Sequence, residues 1–210
     1  MNSYKFVDGE HRAETVIKRS RFIATVFGEA DEQKAIAFIE KIKKEFPDAT
    51  HNCYAYTCDI LGNTNRFSDD GEPAGTAGQP LLAVLKKQGL KMTAAVVTRY
   101  FGGVKLGASG LVSAYTEALV NAINTAAISE KVLSVRIVIE ADYSVFSSLE
   151  GFIRKNGLIE DIEYGDGVKA CVWVRDEESK SFREKILALS LGKALIKEDI
   201  KDYKVYRGAL

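Results

Sequence analysis

Apolar and polar positions alternate along the first part of the chain with two different periods. In Glu14–Phe27 (ETVIKRSRFIATVF) β-branched and aromatic residues crowd together, which predicts one long strand or a strand pair. Asp31 then offers a helix cap, Ile36, Ile39, Ile42 and Phe46 recur at helical intervals, and Pro47 ends the helix. The segment THNCYAYTCDI (50–60) predicts a strand, GNTN (62–65) a turn, and NRFSDD (65–70) a short returning strand that opens into a loop. A further helix is predicted from Pro80, a residue suited to a first helical position because its missing N–H would be unpaired there in any case. TAAVVTRYF (93–101) is a continuous apolar run of the buried-strand type, and GGVKLGASG (102–110) leads into a long helix reaching about Ala127.

From residue 130 the pattern is plainer. Strand (VLSVRIVIEADY), helix (SVFSSLEGFIRKNG), strand (LIEDIEY), strand (VKACVWVRD), helix (SKSFREKILALSL) and strand (KALIKEDIKDYKVY) follow one another, with Gly165-Asp166-Gly167 as the turn between the two central strands. This βαββαβ order predicts a ferredoxin-like domain, two helices covering one face of a four-stranded antiparallel sheet. Alternation in VKACVWVR sets Ala170, Val172 and Val174 on one side and Lys169, Cys171, Trp173 and Arg175 on the other. Trp173 is therefore either an exposed contact residue or buried against the first domain. The chain is read as α+β with two domains, 1–129 and 130–210, joined near Ser129-Glu130-Lys131 with no linker rich in Gly, Pro or Ser.

Composition narrows the function classes. With 210 residues and 46% hydrophobic content the chain builds packed cores, and 29 basic residues balance 29 acidic ones. A nucleic-acid or membrane partner would have to be met by a local patch. No apolar run approaches a membrane span and the first fifteen residues are too polar for a secretory segment, so a cytoplasmic protein with no membrane contact is expected. The 3 cysteines (Cys53, Cys58, Cys171) form no CxxC pair and read as reduced thiols. His51, Cys53 and Cys58 lie close together but lack a fourth ligand, so no metal site is expected, and no cofactor motif is present.

Candidate chemistry concentrates in two glycine-rich loops; nine of the 17 glycines fall between Gly62 and Gly110. In the first, Ser68–Pro80 (SDDGEPAGTAGQP), Gly75, Thr76 and Gly78 lie where a helix start would present free N–H groups, the geometry of an anion site. Asp69, Asp70 and Glu72 point the other way, towards a cation site, capping of nearby amides or pairing with an arginine, and their spacing matches no EF-hand. The second loop, Arg99–Gly110, runs from strand through glycines to helix, as a phosphate cradle requires. Gly102 and Gly107 begin like a P-loop, but Ala108-Ser109 stand where that motif needs Lys followed by Ser or Thr, and there is no GxGxxG. What remains is Arg99 and Lys105 beside the amides of Gly102, Gly103, Gly107 and Ser109. Neither of the 2 histidines, His11 and His51, accompanies a nucleophile motif, so the residues reveal no catalytic engine.

Ser68-Asp69-Asp70-Gly71-Glu72-Pro73-Ala74-Gly75-Thr76-Ala77-Gly78, followed by Val97-Thr98-Arg99-Tyr100-Phe101-Gly102-Gly103 and Leu106-Gly107, closely resembles the signature of the YigZ/IMPACT family. One departure is Ser109, where the family loop commonly carries a glycine. The resemblance covers most of residues 15–125, and the βαββαβ tail is similar to the additional C-terminal domain of the bacterial branch, itself similar to a domain of elongation factor G. It implies an N-terminal two-layer α/β domain of the kind found in a ribosomal small-subunit protein. It implies no established enzyme activity.

Three readings follow. The leading one is a non-enzymatic binding protein that contacts RNA, the ribosome or a translation factor, with the loop amides, Arg99 and Lys105 meeting a negatively charged group and Tyr100, Phe101 or Trp173 stacking on bases. The second is a small-ligand receptor or enzyme with a pocket between the loops, Asp69, Asp70 and Glu72 facing Arg99 and Lys105. The same groups could instead pair internally, Asp70 or Glu72 with Arg99, and fasten the loops to each other. The third is a protein-binding adaptor that uses the open face or an edge of the C-terminal sheet.

Overall fold

The computed structural model describes residues 2–206. Its elements are β1 (Ser3–Val7), β2 (Glu10–Ile17), β3 (Ser20–Gly28), α1 (Glu32–Glu45), β4 (His51–Thr57), β5 (Asn65–Ser68), α2 (Gly78–Lys87), β6 (Thr93–Tyr100), α3 (Gly107–Thr125), β7 (Ile128–Ala141), α4 (Tyr143–Asn156), β8 (Leu158–Tyr164), β9 (Val168–Arg175), α5 (Ser179–Leu189) and β10 (Leu195–Val205). The chain is α+β and divides into two compact units. Tyr4–Ser129 form one; residues 130–206, with Asn2 and Ser3, form the other.

In the N-terminal unit the sheet order is β2-β3-β6-β4-β5, antiparallel at every step. The apolar run at 14–27 is a strand pair. It reverses at Lys18 and Arg19, both in the left-handed region (φ 44° and 68°), and Ile17 faces Ser20 across the turn. Two left-handed residues match the twist of the flanking strands, which is why so short a loop closes the hairpin although neither residue is glycine.

Strand β6 fixes the layering. Ala95 and Val97 pack into a core with Leu81 and Leu85 of α2 and Tyr115 and Leu119 of α3. Ala94 and Val96 pack into a second core with Phe38, Ile39 and Ile42 of α1. Helices thus cover both faces of this sheet, and the unit has three layers rather than the two that the family resemblance implied. The uninterrupted TAAVV run is the reason, since a strand covered on both sides has no polar face to alternate with.

Asp31 caps α1 by accepting the Lys34 N–H at 2.8 Å. Its buried face is Ala35, Phe38, Ile39 and Ile42, whereas Ile36 is 50% exposed. Each three-residue step falls about 60° short of a full helical turn, so the Ile36–Ile39–Ile42 series drifts and its first member leaves the core.

The C-terminal unit has the βαββαβ order and the ferredoxin-like strand arrangement β10-β7-β9-β8, again antiparallel. Phe146, Leu149 and Ile153 of α4 and Phe182 and Ile186 of α5 pack on one face, against Ile137, Ile139, Ala170, Val172 and Val174. Asn2 belongs with this unit, its carbonyl accepting the Leu133 N–H at 2.7 Å. On the other face Trp173 is only 4% exposed. Its indole N–H donates to Glu160 at 3.1 Å, and the Lys204 ammonium sits 4.0 Å from the ring centroid. The exposed contact role considered for Trp173 is therefore not open to it. Among the described residues no helix is long and apolar enough to cross a membrane.

Candidate functional site

The site is built from the two glycine-rich loops of the N-terminal unit, and it starts at Asp69. The Asp69 carboxylate accepts the backbone N–H groups of Gly75 (2.8 Å), Ala77 (2.9 Å) and Gly78 (2.8 Å). Burial works to raise its pKa, but the three amide donors outweigh this and hold the group below the usual aspartate range. The loop wraps around its own anion. The amides of Gly75 and Gly78, candidates for an external anion, are engaged from within, and Thr76 turns its hydroxyl onto the Pro73 carbonyl at 2.6 Å. Asp70, itself left-handed (φ 44°), accepts the Asn52 N–H at 2.7 Å.

Glu72 and Arg99 lie beneath this wrap, 8% and 5% exposed. Arg99 Nη1 donates to Glu72 Oε1 at 2.5 Å, and the Tyr115 hydroxyl, reaching in from α3, donates to the same oxygen at 2.8 Å. The guanidinium lies between the Phe22 and Phe101 rings, 5.4 and 5.5 Å from their centroids. Its Nη2 donates to Ser20 Oγ at 3.4 Å, and that oxygen also accepts the Gly102 N–H at 3.2 Å. His51 Nδ1 lies 2.8 Å from the Asp70 carbonyl, a contact that requires the proton on Nδ1, and Nε2 lies 3.9 Å from Glu72.

Cys53 is fully buried, its thiol 2.9 Å from the Asp69 carbonyl and 3.3 Å from the Tyr115 oxygen. Burial pushes that thiol up to about 12, so it stays protonated and is a poor nucleophile; burial likewise pushes the Tyr115 hydroxyl up. The side chains considered as opposite walls of a pocket, Glu72 and Arg99, are in direct contact. Their pairing joins the first loop to the end of β6. Among the described residues no group of three His, Cys, Asp or Glu side chains is placed to hold a metal.

The second loop is different. Tyr100 donates its hydroxyl to Asp48 at 2.9 Å and lies under Arg21, while Phe101 stays 47% exposed. Gly102 presses on the β2–β3 turn so closely that an added Cβ would stand 2.0 Å from the Arg19 carbonyl carbon and oxygen. Gly102→Ala must displace that turn. We expect it to lower the melting temperature and to change the amide shifts of Lys18 and Arg19 in an NMR spectrum, whereas Gly110→Ala, whose nearest neighbour is Leu106 Cβ at 3.2 Å, is milder. Gly103 and Gly107 are needed for their backbone (φ 80° and 75°), with nothing close to an added Cβ.

Helix α3 starts at Gly107 with no side-chain cap and no acidic residue in its first turn. Lys105 and Ser109 are exposed there, and so are Lys18 and Arg19, which the Gly102 contact brings beside the loop. The structure thus leaves Lys105, Ser109, Gly103 and Gly107 on the surface and folds Arg99, Glu72 and Asp69 inward. Lys18 and Arg19 escaped the sequence reading. The run Lys18-Arg19-Ser20-Arg21 carries them, but inside an apolar strand pattern it reads as ordinary alternation.

Comparison with known proteins matches residues 18–123 to the Impact N-terminal domain and residues 139–193 to a domain of unknown function, DUF1949. The chain is 44% identical over 191 residues to the IMPACT family member YvyE of Bacillus subtilis, covering 90% of this chain and 87% of that protein. It is 34% identical over 179 residues to the IMPACT family member YigZ of Escherichia coli, covering 84% and 88%. The Protein IMPACT homolog of Dictyostelium discoideum is 35% identical over 120 residues, covering 54% of this chain and 34% of that one. A crystal structure described as that of a hypothetical protein superposes with a TM-score of 0.61 at 31% identity, covering 93% of this chain and 97% of its own.

Proposed function

Because the chain belongs to the IMPACT family, we propose that it is a non-enzymatic binding protein of the translation apparatus whose N-terminal unit grips an RNA phosphate backbone at the start of α3. One observation carries this reading: the groups that could serve chemistry or an external anion at the first loop are engaged internally, while α3 starts with no side-chain cap and no acidic residue in its first turn, and Lys105, Lys18 and Arg19 are exposed on the second loop and the turn that Gly102 touches. Lys18, Arg19 and Lys105 supply the local patch that a chain of zero net charge requires if it is to meet a polyanion. The exposed face of Phe101 offers a platform for an unpaired base. Translation enters through the family resemblance. The cytoplasmic location and the absence of any catalytic turnover belong to the same proposal.

The test is binding of ribosomes and of single-stranded ribosomal RNA fragments across a salt series. Affinity should fall with salt, and each alanine placed at Lys18, Arg19 or Lys105 should reduce the logarithmic salt slope by about 0.7, the single-strand value per phosphate contact. No binding at low salt, or an unchanged slope in the triple variant, rejects the reading. Retention of a translation factor without RNA by the same surface would replace it with a protein partner.

A further inference from the structure

A second surface, of opposite charge, lies in the C-terminal unit. The end of β7, the β8–β9 hairpin and the start of β10 enclose a groove of about 600 Å³. Its walls are apolar where folding does not demand it. Tyr164 and Leu195 are 63% and 64% exposed, and the nearby Tyr143, 52% exposed, stacks on Tyr164 with centroids 6.4 Å apart and ring planes at 16°. The Tyr143 hydroxyl donates to the Gly165 carbonyl at 2.8 Å, so the hairpin is tied to α4 and the groove is set before anything enters it.

Four carboxylates line the groove, Glu140, Asp142, Glu163 and Asp166, against two ammonium groups, Lys169 and Lys193. Lys169 pairs with Glu163 at 3.3 Å. Asp142 stands at the N-cap of α4 with extended backbone (φ −64°, ψ 156°), yet its side chain accepts no helix amide. A carboxylate in that position ordinarily turns inward to cap; here it is left exposed at the groove, as is Asp166, while Glu140 faces Lys169 across the β7–β9 pair. Excess negative charge disfavours phosphates, and the exposed ring and leucine give nothing to a simple hydrated cation.

We propose that this groove docks a lysine- or arginine-rich peptide segment carrying an apolar residue, the cations lying along Asp142 and Asp166 and the apolar side chain resting on Tyr164 and Leu195. The site is independent of the RNA reading and of opposite electrostatic sign.

The experiment uses the whole chain and a dye-labelled peptide of about ten residues, lysines flanking a central leucine, followed by fluorescence anisotropy at low salt. Binding is expected, with amide shift changes at Gly165, Gly167 and Lys193 in an NMR titration. A peptide with glutamates for the lysines should not bind, and one with serine for the leucine should bind about tenfold more weakly. The double reversal Asp142→Lys with Asp166→Lys, and separately Leu195→Ser, should each weaken binding about tenfold. The RNA affinity of these variants should not fall, so the two readings fail separately. Failure of the lysine–leucine peptide to bind, equal binding of the serine peptide, undiminished binding by both variants, or shifts confined to other residues overturns the proposal.

Discussion

Replacing Glu72 by alanine should lower the stability of the N-terminal unit by about 3–5 kcal/mol, the usual cost of removing one partner of a buried ion pair. Arg99 is the cause. Its guanidinium is 5% exposed, its Nε already has no hydrogen-bond partner, and it sits between two aromatic rings, so without Glu72 a cation remains in a site that water reaches poorly. The Tyr115 hydroxyl loses its acceptor at the same time. Glu72→Gln keeps the shape and one acceptor and should cost less. Glu72→Leu combined with Arg99→Met should recover much of the loss, because an apolar pair of similar volume removes the unpaired charge. The measurement is urea unfolding followed by far-ultraviolet circular dichroism or NMR, since the sole tryptophan, Trp173, reports on the other unit. A loss below about 1 kcal/mol in Glu72→Ala would mean that the guanidinium finds water, contrary to the burial described.

The second large effect is expected at Asp69. Asp69→Ala removes three charge-assisted hydrogen bonds at once. Bonds of that kind contribute about 1.5–3 kcal/mol each, and partial rehydration of the amides brings the expected net loss to about 3 kcal/mol. Hydrogen exchange at Gly75, Ala77 and Gly78 should accelerate, while α3 amides are less affected. The pH dependence has a definite sign. Because the folded-state pKa of Asp69 lies below its unfolded value, the unfolded chain takes up the proton first. The stabilisation is therefore complete above the ordinary aspartate range and disappears as pH falls through the lower, folded value. The wild-type melting temperature should drop across that acid window more steeply than that of Asp69→Ala; parallel curves would mean that the carboxylate is not what organises the loop.

Much of the fold is legible in the sequence because its signals are local. Asp31 announces its helix, the βαββαβ grammar emerges from periodicity alone, and the apolar run of β6 carries the information that both faces are covered. The candidate site is less legible. The sequence narrows Asp69, Asp70, Glu72 and Arg99 to either a site or a fastening, and only tertiary placement brings Glu72 to Arg99 and Asp69 to the amides. Tyr115 is invisible as a polar residue, for within a helix an aromatic at core spacing reads as packing, and its hydroxyl acquires meaning only when β4 and the first loop lie opposite. Lys18 and Arg19 are hidden for another reason: a left-handed turn without Gly, Asn or Asp has no compositional marker.

The buried network has a kinetic consequence. Arg99 meets Glu72 across 27 residues of chain, Tyr115 meets Glu72 across 43, Cys53 meets Tyr115 across 62 and Arg99 meets Ser20 across 79. The complete set requires strands β3, β4 and β6 together with helix α3, and each loop closure carries its own entropy cost. Dehydration of the arginine and the glutamate is therefore expected late in folding, and Glu72→Ala should speed unfolding more than it slows folding in stopped-flow kinetics. The network links distant segments, so that the two glycine-rich loops are fastened to each other and to the sheet only as the whole unit is completed, whereas the Asp69 wrap is local to the first loop.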